Sequence, residues 1–358
     1  MKRIITFGLA FLLLAPALFA DHANVMPARV GRFFVAPTFI NIDQRFDDNG
    51  NRTDENVPPT RMFNLGFAVE YGITSWITGA LQWAPGVNLW SDVDRVPRPD
   101  LAPPPGQTSS GTIGVAGDVM LGAKIQIIGR EAPIQSDMFR VAFAPGLMIP
   151  VPGPDFDDQL RSGTPRVARL DNHVFGVGLR SFFDWVPNQF FYLNFYNEVR
   201  FFPQRGRFRD LGFAQAFTAD TLDGPPFDVG NPRVNFRYDV TFEIEPTFTY
   251  RLEAPIIAFE VGLPLTYFFT PGYRISGTRP NIAPLVPAIG EEAVAGLNAA
   301  MQDEGSVHML TLGPNVSAFF MQWPVPMEFR LSYTFPLWGQ NAPLRHVVTL
   351  QIRTYFRI

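Results

Sequence analysis

Between Val234 and Leu252 the chain alternates without a slip. Val234, Phe236, Tyr238, Val240, Phe242, Ile244, Phe248, Tyr250 and Leu252 share one parity. Asn235, Arg237, Asp239, Thr241, Glu243, Glu245, Thr247, Thr249 and Arg251 share the other, and only Pro246 interrupts the apolar row. Successive side chains of an extended strand point to opposite faces, so a period of two means one apolar face and one polar face. A strand in a soluble protein needs only about 5–6 residues. One that crosses an apolar slab at a tilt near 45° takes ~9–11, and the excess can stand above it. A β-sandwich alternates too, but with strands about half this length and fewer charges on one face. The pattern fits the wall of a transmembrane barrel.

The alternation recurs. Phe63, Leu65, Phe67, Val69 and Tyr71 oppose Asn64 and Glu70, and the row from Ile257 to Phe269 opposes Ala258, Glu260 and Thr266. Met327 to Leu337 opposes Glu328, Arg330, Ser332 and Thr334, and Val348, Leu350, Ile352, Phe356 and Ile358 oppose Thr349, Gln351, Arg353, Tyr355 and Arg357. Twelve strands are predicted, at 32–46, 61–72, 76–88, 112–128, 137–151, 170–184, 188–202, 234–250, 254–269, 307–323, 325–338 and 345–358. The first is the least distinct, because both parities of 33–42 are apolar. Connection lengths test the count separately. Links after even strands are short, such as Gly72–Ser75, Trp185–Pro187 and Arg251–Glu253. Links after odd strands cover 47–60, 89–111, 152–169, 203–233 and 270–306, and only 339–344 is short on that side. Short periplasmic turns, long external loops and an even strand number are the layout of bacterial outer-membrane barrels. The expected fold is all-β, a single antiparallel transmembrane barrel over 21–358.

Lys2 and Arg3, the apolar run from Ile4 to Leu18 and the small residues Ala15, Ala17 and Ala20 make 1–20 a secretory signal peptide, with cleavage expected after Ala20. Beyond it no stretch approaches the ~18 apolar residues of a spanning helix. The chain has no cysteine, so a disulfide framework or thiolate metal site is excluded. Losing Lys2 and Arg3 takes the formal charge from −4 to about −6, which leaves no basic field for nucleic acid. Aromatic residues make up 14% of the chain and 35 of them are phenylalanine, while Lys124 is the only lysine after the signal. Arginine's planar fork pairs bidentately with carboxylates and phosphates. That suits a crowded lumen or a phosphate-rich membrane surface, although genomic base composition produces the same bias.

Projected inward, the polar parity collects Glu70, Asp118, Lys124, Arg140, Arg180, Glu198, Arg200, Arg237, Asp239, Glu243, Glu245, Glu260, Glu328, Arg330 and Arg353 as candidates to line the lumen. An ion-selective pore carries rings of one sign. This balanced mixture reads either as paired networks that prop the interior or as a polar constriction that selects solutes. Pro37, Pro85, Pro145, Pro203, Pro264 and Pro336 punctuate the six upward strands. Proline cannot donate to a ladder and a closed barrel has no edge to hide it, so each marks a bulge, a kink or the end of pairing. A kinked wall could also release a ligand sideways. Catalysis is not expected: no histidine has a serine two residues downstream, and Ser306 and His308 share a face in the reverse order without an evident third partner. The run from Asp47 to Asn51 misplaces the glycine of a calcium-binding loop and reads as a solvated tip. Glu291–Glu304 has helical spacing, and would be a partial plug or a surface helix. No cofactor is implied.

Glu70-Tyr-Gly-Ile-Thr-Ser-Trp76, Gly117-Asp-Val-Met-Leu-Gly-Ala-Lys124 and Pro145-Gly-Leu-Met-Ile-Pro150 resemble segments of the meta-pathway phenol-degradation barrels and, more loosely, the fatty-acid and aromatic-hydrocarbon transporters. Asn188 to Arg200 resembles spirochaete outer-membrane proteins. The resemblance implies passive uptake of small hydrophobic compounds across the outer membrane of a Gram-negative cell, with release through the wall. Two departures stand against it. Fatty-acid transporters carry fourteen strands and an N-terminal plug, where this chain offers only Asp21 to Val30 before its first strand, and Ile358 replaces the usual terminal aromatic. The expected partners are outer-membrane lipid and lipopolysaccharide-type glycolipid, a small apolar solute, and the barrel-assembly machinery during insertion. The alternative is a structural or surface-exposed barrel whose long loops bind partners.

Overall fold

A computed structural model describes residues 22–54, 60–93, 114–115, 117–151, 175–203, 233–234, 237–253, 257–272, 275–276, 291 and 305–357. Twelve antiparallel strands close into a barrel. They are β1 (Val30–Phe46), β2 (Thr60–Gly72), β3 (Ile77–Val93), β4 (Gly114–Val115 and Val119–Gly129), β5 (Phe139–Ile149) and β6 (Gly176–Asn188). The second half adds β7 (Phe191–Phe202), β8 (Arg237–Leu252), β9 (Ile257–Gly262 and Leu265–Thr270), β10 (Val307–Leu312 and Asn315–Phe320), β11 (Met327–Gln340) and β12 (Pro343–Arg357). Each strand pairs with its neighbours in sequence. Pairing of β1 with β12, from Val30 opposite Arg357 to Arg45 opposite Pro343, closes the circle. Closure leaves no edge, so the backbone groups that hydrocarbon cannot satisfy are paired within the wall.

The polarity of the molecule is inside out. Phe242, Phe248 and Tyr250 on β8 are 52%, 59% and 62% exposed, whereas Asp184, Glu328 and Arg353 are 0–1% exposed. Strand β1 resisted a clear reading because its inner face is also apolar. Phe34 and Ala36 pack with Ala68 on that face, while Phe33 and Phe39 point outward.

Several predicted boundaries shift. The turn between β6 and β7 lies at Gln189 and Phe190 rather than at 185–187, and β3 runs on to Val93. The 339–344 link shrinks to Asn341 and Ala342, with Asn341 at a φ of 51°. β9 and β10, predicted as continuous, are each split. The predicted signal peptide, the predicted helical stretch after Glu291, and most of 203–236 and 271–306 lie outside the described residues.

The prolines do different things. On β3, Ala84, Pro85 and Gly86 together oppose the single Gly66 of β2, a bulge with Gly86 at a φ of 79°. Across β8 to β11, three prolines make a seam at one height. The ladder skips from Ile244–Leu265 to Thr247–Gly262, from Leu265–Leu312 to Gly262–Asn315, and from Leu312–Phe335 to Asn315–Ser332. Register is kept across each gap. A single backbone bond bridges each one, always to a proline carbonyl: Leu263 N to Pro246 O (3.1 Å), Gly313 N to Pro264 O (2.9 Å) and Tyr333 N to Pro314 O (3.1 Å). Proline accepts there but has no N–H to return.

Candidate functional site: the lumen and its N-terminal segment

Charged residues of the inner face pair between strands. Arg32 donates to Glu70 at 2.7 Å, Arg180 to Glu198 at 2.8 Å, and Arg200 lies 3.3 Å from Asp239. Arg180 also reaches Gln82 on β3 at 3.2 Å, past two intervening strands, so this bond crosses the bore. Arg353 meets Glu328 at 3.1 Å, and Tyr355 donates to the other Glu328 oxygen at 2.6 Å. Thr266 donates to Glu243 at 2.7 Å, and Asp118 accepts the Val151 amide at 3.2 Å. Arg140 stands 3.8 Å from Asp184. The side chain of Arg237 lies outside the described residues.

Beneath the proline seam, Glu245 of β8 accepts from Asn315 of β10 at 2.9 Å and from Arg330 of β11 at 3.1 Å. To do so it passes over β9 at Gly262, where an added Cβ would fall 2.2 Å from the Glu245 carboxylate. Side chains thus lace the wall where its backbone ladder thins. Beside this staple, Glu260 Oε1 on β9 and Ser317 Oγ on β10 are buried without a protein partner. Such groups are where ordered water sits.

The segment ahead of β1 is only about ten residues long. It enters the barrel nonetheless. The Ala23 amide donates to both carboxylate oxygens of Asp184 at 3.1 Å, and Met26 N donates to Thr78 Oγ1 at 2.7 Å. Lys124 Nζ donates to His22 O at 2.8 Å and Gln126 Nε2 to Ala23 O at 3.0 Å. His22 meets the edge of Tyr192 with centroids 5.3 Å apart, and Met26 packs with Val30, Ala258, Phe319 and Tyr355. The segment therefore spans from the β9, β10 and β12 side to the β4–β6 side, at the end that carries the short turns. Sequence reasoning identified Lys124 as lining but not as the clamp of this segment. The other side chains that receive it, Asp184, Gln126 and Thr78, are buried on the inner faces of β6, β4 and β3.

Two further readings resolve locally. His308 and Ser306 do touch, Nε2 to Oγ at 2.9 Å, and Tyr267 Oη is 2.7 Å from the other ring nitrogen. Phe269 and Trp338 rings lie 5.0 and 6.3 Å from that imidazole, so the group belongs to an aromatic band at the loop-bearing end. Asp47 closes its own turn, accepting from Asn49 N at 2.9 Å and Asn51 N at 2.7 Å. These bonds, that of the Asn51 amide foremost, hold its carboxyl below the usual range.

Closed strands, a lipid-compatible exterior and a charged interior define an outer-membrane β-barrel. Among solved structures, the chain matches the COG4313 outer membrane channel from Pseudomonas putida F1 with a TM-score of 0.58 and 10% identity, over 95% of this chain and 100% of that one. The β domain of the Bordetella autotransporter BrkA gives 0.41 at 12% identity, over 91% and 100%. A Pseudomonas aeruginosa FadL homologue gives 0.31 at 10% identity, over 96% and 92%. No protein-family profile matches the chain, and no curated protein does. The first likeness is one of fold.

Proposed function

We propose that this chain is a passive outer-membrane channel for small apolar molecules, exported by a signal cleaved after Ala20 and embedded in lipid and lipopolysaccharide-type glycolipid. One observation carries the reading: the wall is thinned along the proline seam of β8–β11, while residues 22–26 run across the inside of the barrel at its short-turn end. A bore crossed by a chain segment suits a wide water-filled pore for hydrophilic solutes less well. A wall with one backbone bond per strand pair at one height suits a solute that leaves into the bilayer. The outer-membrane channel from Pseudomonas putida shares the fold, which is consistent with this role.

The test is uptake by cells lacking the protein, with and without its gene restored. Uptake of an apolar solute such as toluene should fall in the deletion and return on restoration, and uptake of glucose should not change. Equal toluene uptake in all strains would overturn the proposal.

A further inference from the structure

Along the outward parity of β5 to β9 the described side chains are apolar or aromatic with two exceptions, Ser181 on β6 and Asn197 on β7. They are direct cross-strand partners. Phe143 flanks Ser181 on one side and Phe242 flanks Asn197 on the other, so the four form one row across β5, β6, β7 and β8. One step toward the short turns, the Phe183 and Phe195 rings meet at a tilt of 50°, with centroids 5.8 Å apart. Between these rings lies a groove of about 570 Å³, within the ~300–1,000 Å³ of small-molecule sites. Its floor is unbroken wall, because the β6–β7 register runs on through the Ser181–Asn197 pair.

We infer that this groove is a binding site, on the lipid-facing surface, for a neutral alcohol or phenol with an apolar body. Asn197 donates one N–H of its Nδ2 to the Thr241 carbonyl at 3.1 Å, which leaves its amide oxygen as an acceptor. Ser181 offers a hydroxyl. Polar groups that face hydrocarbon without partners are costly, and they are retained where something meets them. A hydroxyl head gives to the one and takes from the other, while the four phenyl rings receive the body. A carboxylate or phosphate head finds no cation among the groove's lining side chains. The inference rests on the barrel standing in a bilayer and not on the transport proposed above.

The experiment uses the purified barrel in nanodiscs and a diazirine-bearing benzyl alcohol as photoprobe, with its methyl ether as control. Labelling should concentrate on β6–β8, be competed by 4-octylphenol, and be weak for the ether. Ser181→Leu combined with Asn197→Leu should lower it at least about tenfold, since both hydrogen bonds to the head are lost. Leucine suits the lipid face, and heat-modifiable migration on gels verifies that the variant is folded. Labelling spread evenly over the lipid-facing strands, or unchanged in the folded double variant, overturns the inference. Site-specific labelling without an uptake defect in the deletion strain would instead remove the channel and leave the site.

Discussion

Glu245 shows how much one side chain does in this wall. Its carboxylate joins β8 to β10 and β11 at the height where three prolines leave one backbone bond per strand pair. Arg330 and Glu245 are 10% and 5% exposed at their side chains, so truncating one leaves the other charge buried. Glu245→Ala should destabilise the barrel by about 3–5 kcal/mol, as for other broken buried pairs. It would be read as a lower temperature for conversion of the compact gel form to the unfolded one. Glu245→Gln keeps an acceptor for Asn315 and should lose less. Alternation alone identified Glu245 and Arg330 as inward-facing, because parity follows from the chain. Their pairing over Gly262 was not legible: it depends on the registers of three successive ladders, β8–β9, β9–β10 and β10–β11, which bring the two side chains level.

At the scale of elements, twelve strands and the sidedness of their links could be read from period and loop length. The breaks in β9 and β10 could not. Pro264 was marked as an interruption, but Pro246, Pro264 and Pro314 become a seam only when register brings them level. The segment 22–29 eluded the same reading because it has no period and is too short to carry a core. Its role comes from what receives it. Gly72 is decisive there: an added Cβ would lie 2.0 Å from the Pro27 carbonyl oxygen and 2.6 Å from that of Met26, both backbone atoms. Gly72→Val should therefore expel the segment while leaving the β1–β2 ladder in place. Single-channel conductance in planar bilayers should rise, and deletion of 22–28 should raise it likewise. If neither variant conducts more than the parent, the segment does not obstruct the bore.

For the whole molecule, the governing fact is the reversal of the usual polarity. Apolar side chains face out because the surrounding medium is hydrocarbon, and charges face in because they find one another there. Phe242→Arg, near the middle of the exposed wall, should cost about 2–4 kcal/mol. The inward Thr241→Arg should cost less, and urea titration of the folded barrel in lipid vesicles compares the two. Equal costs would contradict the placement of lipid. The sequence by itself determined which face of every strand after β1 is apolar, how many strands there are and which links are long, since these follow from a local period and its spacing. Only the tertiary structure decided that the leading residues fill the mouth, that the prolines line up and that Ser181 meets Asn197. Each of those depends on register between strands or on the surface that receives a segment, which a local period does not carry.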